Sequence, residues 1–317
     1  MRPKIGIALG GGAARGWAHI GVLRALMEAG IVPDIVAGTS IGAVVGGCYV
    51  ADRLDVLEDF ARSLNRRRVL GFLDFNLAGT GLISGQRLCD RLASHLGTTT
   101  IEALTKPFTA VATEIGTGHE VWLSRGSLVD AIRASYALPG IFRPVRINGR
   151  WLFDGALVNP IPVTVCRALG ARYVIAINLN SDMSSRGTIL PDITAHESEP
   201  SEPEPAAVDG VAAGRARTLL HRQLFGSGTG EETAPGISTV VVDAFNIVQD
   251  RIARSRLAGD PPDAIISPRL AGIGPFDFHK AEELIVLGHA AARREIDDLS
   301  HELSVRSKLG RRAASVA

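Results

Sequence analysis

Along the first fifty residues, short and fully apolar runs alternate with longer stretches whose apolar positions recur every three to four residues. Ile5–Leu9 is apolar almost throughout and stops at Gly10–Gly12, the pattern of a strand buried on both faces and entering a tight turn. Gly16–Ala29 places Ile20, Leu23 and Met27 at i, i+3 and i+7, which predicts a helix; Gly30 ends it and Pro33 follows. Ile35–Ala37 predicts a second strand, and Ile41–Ala51 a helix rich in small residues. Strand, glycine turn and helix, twice in succession, predict a mainly parallel sheet covered on both faces.

The pattern continues downstream. Phe108–Glu114 and Glu120–Leu123 read as strands around a turn at Gly116–Gly118. Ser127–Ala137 reads as a helix, with Ser127 and Asp130 in a capping-box-like arrangement, and Pro139–Gly140 ends it. Trp151–Phe153 is a strand running into Asp154–Gly155, Val163–Leu169 is helical, and Tyr173–Asn178 is another apolar strand. Composition changes near Ser181. Met183–Gly236 holds an acidic proline-rich run (Glu197–Pro205) and GSGTGEE, which predicts a mobile insertion around a short amphipathic helix near Arg215–Phe225. Order returns with Thr239–Ser255, where Val241, Phe245, Val248 and Ile252 share a face, then a strand at Ala264–Ser267 and a closing helix at Ala281–Leu303. The expected organisation is a core over 1–182, an insertion over 183–236, the rest of the same domain over 237–303, and a disordered basic tail over 304–317.

Composition narrows the function classes. The chain has 317 residues with 46% hydrophobic and only 5% aromatic, so the core is built from Ala, Val, Leu and Ile. A net charge of +1 argues against a nucleic-acid binder. Cys48, Cys89 and Cys166 are far apart and lack metal-ligand spacing, which argues against a disulfide framework and fits a reducing cytosol. Met1–Lys4 lead directly into the first strand, so no signal peptide is expected. No run approaches roughly 18 uninterrupted apolar residues, so no spanning helix is expected.

Three motifs carry chemistry. Gly38–Gly42 reads GTSIG, between a strand and a helix. A nucleophilic serine must project its Oγ clear of the backbone, and a sharp strand-to-helix turn does this when glycines two before and two after relieve the crowding. Gly38 and Gly42 stand in those positions around Ser40, and the helix from Ile41 points its amides at the same place. Leu9–Gly16 reads LGGGAARG. Acyl transfer builds negative charge on a carbonyl oxygen, and backbone amides of Gly11, Gly12 and Ala13, aided by Ile41, are candidate donors. Arg15 is a candidate for orienting that loop or attracting an anionic head group. A phosphate loop does not fit, because G-x-x-x-x-G-K-[ST] is absent and Gly10–Gly16 departs from G-x-G-x-x-G. Asp154–Ala156 reads DGA and supplies a carboxylate, Asp154, followed by Gly155. A serine nucleophile needs a base. His19 lies in the first helix, His196 and His221 in the insertion, and His279, His289 and His301 near or in the closing helix. None follows the last core strand in a glycine turn, where a Ser-Asp-His hydrolase places its histidine; this spacing, together with the resemblance described below, favours a dyad over a triad. No EF-hand-like acidic loop indicates calcium.

These motifs together resemble the patatin-like phospholipase family, in the bacterial branch related to neuropathy target esterase. Gly10–Gly16 is similar to its glycine-rich block, GTSIG to its nucleophile block, Ala134–Pro144 to its proline-containing block, and DGA with Asn159–Pro160 to its aspartate block. The match covers roughly Ile5–Asn180, with a weaker echo at Val248–Pro261 and Phe276–Leu287. The resemblance implies a three-layer α/β/α patatin-like fold with a mainly parallel sheet. It also implies a lipid acyl hydrolase of phospholipase A, lysophospholipase or carboxylesterase type, without metal or cofactor. Carried over by position, Ser40 is the nucleophile, Asp154 the base, and Gly10, Gly11 and Gly12 form the oxyanion hole. The insertion matches no block of the family. The expected partner is a lipid or acyl ester, with transient contact to the inner face of a membrane through Arg66–Arg68, Val69–Leu73 or Leu219–Phe225. An acyltransferase on the same scaffold and a non-catalytic regulator are the alternatives.

Overall fold

The computed structural model describes residues 2–72, 86–181 and 237–314. The chain divides into two units, Met1–Met183 with Val248–Ala317, and Ser184–Ile247. The expected insertion and its helix near Arg215–Phe225 lie outside the described residues.

The larger unit is built on an eight-stranded sheet. Its strands are β1 (Ile5–Leu9), β2 (Ile35–Thr39), β3 (Phe108–Glu114), β4 (Glu120–Leu123), β5 (Val145–Ile147), β6 (Arg150–Asp154), β7 (Tyr173–Ile177) and β8 (Ala264–Ile266). β3, β2, β1, β7 and β8 run parallel in that order, while β4, β5 and β6 are antiparallel additions. The helices are α1 (Ala18–Glu28), α2 (Ile41–Val50), α3 (Leu54–Arg62), α4 (Arg66–Phe72), α5 (Gln86–Leu96), α6 (Leu128–Ser135), α7 (Val163–Ala168), α8 (Ile237–Gly259) and α9 (Ala281–Ala314).

Strand alternation sorts the core into two layers. Ile5, Ile7 and Leu9 of β1, with Tyr173, Ile175 and Ile177 of β7, join the larger cluster that includes α1, α2, α6 and α9. Ala8, Val174 and Ala176 face the other way, onto Val163 and Cys166 of α7 and Ala253 of α8. The expected three layers and mainly parallel sheet are therefore present. Small residues set how closely the layers approach. A Cβ on Gly21 would lie 1.9 Å from Ile285 O, and one on Gly288 would lie 2.0 Å from Ala18 O, so α1 and α9 cross with backbones in contact.

Two differences from the sequence reading have physical reasons. The first helix begins as a 3-10 turn, Ala13–Trp17, before α1. The C-terminal helix does not stop at Leu303; it continues to Ala314, replacing most of the expected disordered tail over 304–317. Side chains anchor this extension: Arg306 pairs with Asp263 at 2.8 Å and lies over the Tyr173 ring, and Tyr173 Oη donates to Glu302 at 2.7 Å.

One feature of β3 positions the site. On one edge β4 pairs with Ala110–Thr113. The opposite edge is shared end to end: β2 pairs with Phe108–Val111, and β6 takes over from Ala112. Thr39 sits opposite Val111 and Asp154 opposite Ala112, so the C-terminal ends of β2 and β6 meet on adjacent rungs.

Candidate active site

Ser40 follows β2 and caps α2, with φ 58° and ψ −124°. A residue with a side chain is strained there, by about 1–3 kcal/mol, and must be held by its surroundings. A Cβ on Gly42 would stand 2.1 Å from Leu9 O, and one on Gly38 would stand 2.4 Å from Gly42 O, so the turn has room only for glycine on each side. The Ser40 amide donates to Ser135 Oγ at 2.9 Å, and Ser135 Oγ–H donates onward to Val111 O at 2.6 Å. Thr39 Oγ1 donates to Asn159 O at 2.8 Å, which ties β2 to the chain after β6.

Because β2 and β6 meet end to end, Asp154 reaches the serine directly. Ser40 Oγ donates to Asp154 Oδ2 at 2.6 Å, and the Ala156 amide donates to Asp154 Oδ1 at 2.9 Å. The backbone of Asp154 is fixed by Thr113 Oγ1 donating to its carbonyl at 2.9 Å and by its own amide donating to Ala137 O at 3.0 Å. A Cβ on Gly155 would lie 2.2 Å from Val111 O, so this glycine lets β6 turn away against β3. Asp154 is only 1% exposed. Burial pushes its carboxyl up to about 7, against the opposing pull of the Ser40 and Ala156 hydrogen bonds.

The glycine loop packs against this pair. A Cβ on Gly11 would stand 3.3 Å from Ala156 Cβ and 3.6 Å from Ser40 Cβ, so the loop passes close to the serine because residue 11 has no side chain. Two amides expected to face a substrate are engaged elsewhere. Gly10 N–H extends the β1–β7 ladder to Ile177 O at 3.2 Å, and Gly11 N–H donates to Pro160 O at 2.9 Å. The amides of Gly12, Ala13 and Ile41 have no acceptor among the described residues. Ala13 adopts φ 49°, a second strained non-glycine residue beside Ser40. Arg15 ties the loop down: its Nε donates to Ile273 O at 2.9 Å and its Nη1 to Asn180 Oδ1 at 3.4 Å.

The histidines stand away from the pair. His19 is fully buried and its Nε2 lies 2.8 Å from Gly10 O; a carbonyl only accepts, so Nε2 carries the proton. Burial pushes His19 down to about 4. His289 reaches Glu28, and His279 accepts from Arg66. Among the described residues no histidine hydrogen-bonds to Ser40 or Asp154, and no group of three or more His, Cys, Asp or Glu converges in a way that could hold a metal ion.

Sequence reasoning missed Ser135, Thr39 and Gln249. Ser135 lies within the ASYALPGIFRP stretch, but a serine at the end of a helix carries no signal of its contact with the Ser40 turn. Gln249 of α8 is buried, and its Oε1, without a partner among the described residues, lies 3.5 Å from the Cβ position of Gly11.

Comparison with known proteins follows the same residues. A family model described as patatin-like phospholipase matches residues 7–167. An NTE family protein of Mycobacterium tuberculosis, itself described as uncharacterized, is 34% identical over 93% of each chain. Neuropathy target esterase sws of Drosophila melanogaster is 36% identical over 56% of this chain and 13% of the fly protein. Among solved structures, VipD from Legionella pneumophila aligns with a TM-score of 0.45 at 13% identity, covering 94% of this chain and 67% of that one.

Proposed function

The chain belongs to the patatin-like phospholipase family, and on that premise we propose that it is a serine acyl hydrolase cleaving lipid esters with a Ser40–Asp154 dyad. The observation that carries this reading is the 2.6 Å hydrogen bond from Ser40 Oγ to a buried carboxylate, at a strained turn. Ionised Asp154 takes the hydroxyl proton as Ser40 Oγ attacks the ester carbonyl. The Gly12, Ala13 and Ile41 amides receive the developing oxyanion, each donor being worth about 3 kcal/mol. Gly10 and Gly11 shape the loop without donating. Asp154 returns the proton to the leaving alcohol, leaving an acyl-Ser40 ester. It then takes a proton from a water whose oxygen attacks the acyl carbon, and gives that proton to Ser40 Oγ as the acyl–oxygen bond breaks and the fatty acid leaves. A base poised near pH 7 suits both transfers at neutral pH.

The substrate class is a phospholipid, lysophospholipid or simpler acyl ester. Exposed Arg66, Arg67 and Arg68 on α4 support transient contact with an anionic lipid surface. No helix among the described residues is long and apolar enough to cross a membrane. A fluorophosphonate probe tests the reading: it should modify Ser40, as located by peptide mass spectrometry, and leave Ser40→Ala unmodified. Modification of another serine, or none in folded wild type, would overturn it.

A further inference from the structure

We infer that the apolar cavity beside α2 is the acyl-chain site and that Cys48 sets the chain length it accepts. The inference rests on the hydrolase reading of Ser40. The cavity has a volume of about 110 Å³ open to the centre of a water-sized sphere, a narrow space rather than a roomy one. Ser40 and Asp154 do not line it; Ile41, the residue bonded to Ser40, does, together with Trp17 and Phe142. Val44 and Cys48 follow at i+3 and i+7, so one face of α2 forms a continuous wall leading away from the serine. Leu57 of α3 and Leu92 of α5 close the opposite side.

Almost every lining atom is carbon or sulfur. A water held there would find few of the two to four polar partners it needs, whereas an alkyl chain would bury its whole length. Two of the polar lining residues, Arg53 and His95, meet beyond the end of α2. Arg53 follows α2, its amide bonded to Cys48 O, and its Nε donates to His95 O at 3.3 Å. A methyl terminus is well placed before that pair and badly placed against it. From Ile41 to Cys48 the helix rises about 10 Å, and to its end about 15 Å, which fits an extended acyl chain of roughly eight to twelve carbons.

p-Nitrophenyl esters from acetate to palmitate test this in wild type and Cys48→Phe. In wild type each added methylene should raise kcat/KM roughly three- to fourfold at first, levelling near eight to twelve carbons. In Cys48→Phe the decanoate-to-acetate ratio of kcat/KM should fall at least tenfold, with the optimum at six carbons or fewer. A ratio unchanged in folded Cys48→Phe, or a flat wild-type profile, overturns the assignment. A second measurement needs neither turnover nor that variant. With Trp122→Phe and Trp151→Phe in place, Trp17 is the one remaining tryptophan. Saturated fatty acids should change its fluorescence, with affinity rising to about twelve carbons. No change at any length overturns the cavity assignment. Fatty-acid binding without cleavage of any ester overturns the hydrolase reading instead.

Discussion

Replacing Asp154 by Asn should make the protein more stable at alkaline pH while removing its activity. In the folded chain burial raises the Asp154 carboxyl from 3.8 to about 7. The unfolded chain therefore gives up this proton at lower pH than the folded one. Between about pH 4 and 7 the native state binds more protons than the unfolded state, so stability falls as pH rises through that window. At 1.36 kcal/mol per unit, the loss over about three units is about 4 kcal/mol, complete above pH 7 and absent below pH 4. Asp154→Asn does not titrate there and escapes this loss, while all other groups titrate alike in both chains. The variant's stability advantage should thus grow by about 4 kcal/mol from pH 4 to 8, opening a melting-temperature gap of roughly 8 °C, and stay constant above. Thermal or urea unfolding of both proteins at half-unit pH steps measures it. A gap that does not change with pH, or that narrows as pH rises, would refute the buried, proton-retaining carboxylate on which the mechanism depends.

Wild-type kcat/KM should rise with pH to a plateau above about 7, because only ionised Asp154 accepts the Ser40 proton; a profile flat from pH 5 to 9 would count against it. Ser135→Ala should lower stability by about 1–3 kcal/mol and reduce kcat, since the Ser40 amide loses its acceptor and Val111 O its donor; urea titration and ester kinetics read both effects. Gly42→Ala should yield little folded protein, because its Cβ would stand 2.1 Å from Leu9 O; soluble, active Gly42→Ala would show that the turn is looser than described. Replacing His19 by Gln should flatten the acid limb of the stability curve, because a histidine held down at about 4 draws stability away as pH falls from 6.5; acid unfolding followed by circular dichroism tests this.

Much of this architecture was legible in the sequence because its elements are short and punctuated by glycine. β1, β2 and β7 are apolar runs buried on both faces, and the turns after β1 and β2 need residues without side chains. Ser40 and Asp154 could be singled out because their chemistry demands a local pattern. What stayed hidden depends on distant partners. Nothing near Asp154 says that β6 abuts β2 on one edge of β3, yet that junction brings carboxylate and hydroxyl together across 114 positions of chain. The same holds for Ser135, whose acceptor role spans 95 positions. The family resemblance put Gly10, Gly11 and Gly12 in the oxyanion hole, but the Gly10 and Gly11 amides bond to Ile177 O and Pro160 O, distant partners that only the fold reveals. The helix past Leu303 is amphipathic only in relation to Tyr173 and Asp263, contacts invisible along the chain. α3 and α5 gave no motif, although Leu57 and Leu92 line the cavity with α2.

The most direct test of the dyad is release of fatty acid from lysophospholipids, diacyl phospholipids and p-nitrophenyl esters by wild type, Ser40→Ala and Asp154→Asn. Wild type should release fatty acid from at least one lipid, and each variant should lose at least a thousandfold in kcat while remaining folded. Turnover by Ser40→Ala at the wild-type rate would contradict the account.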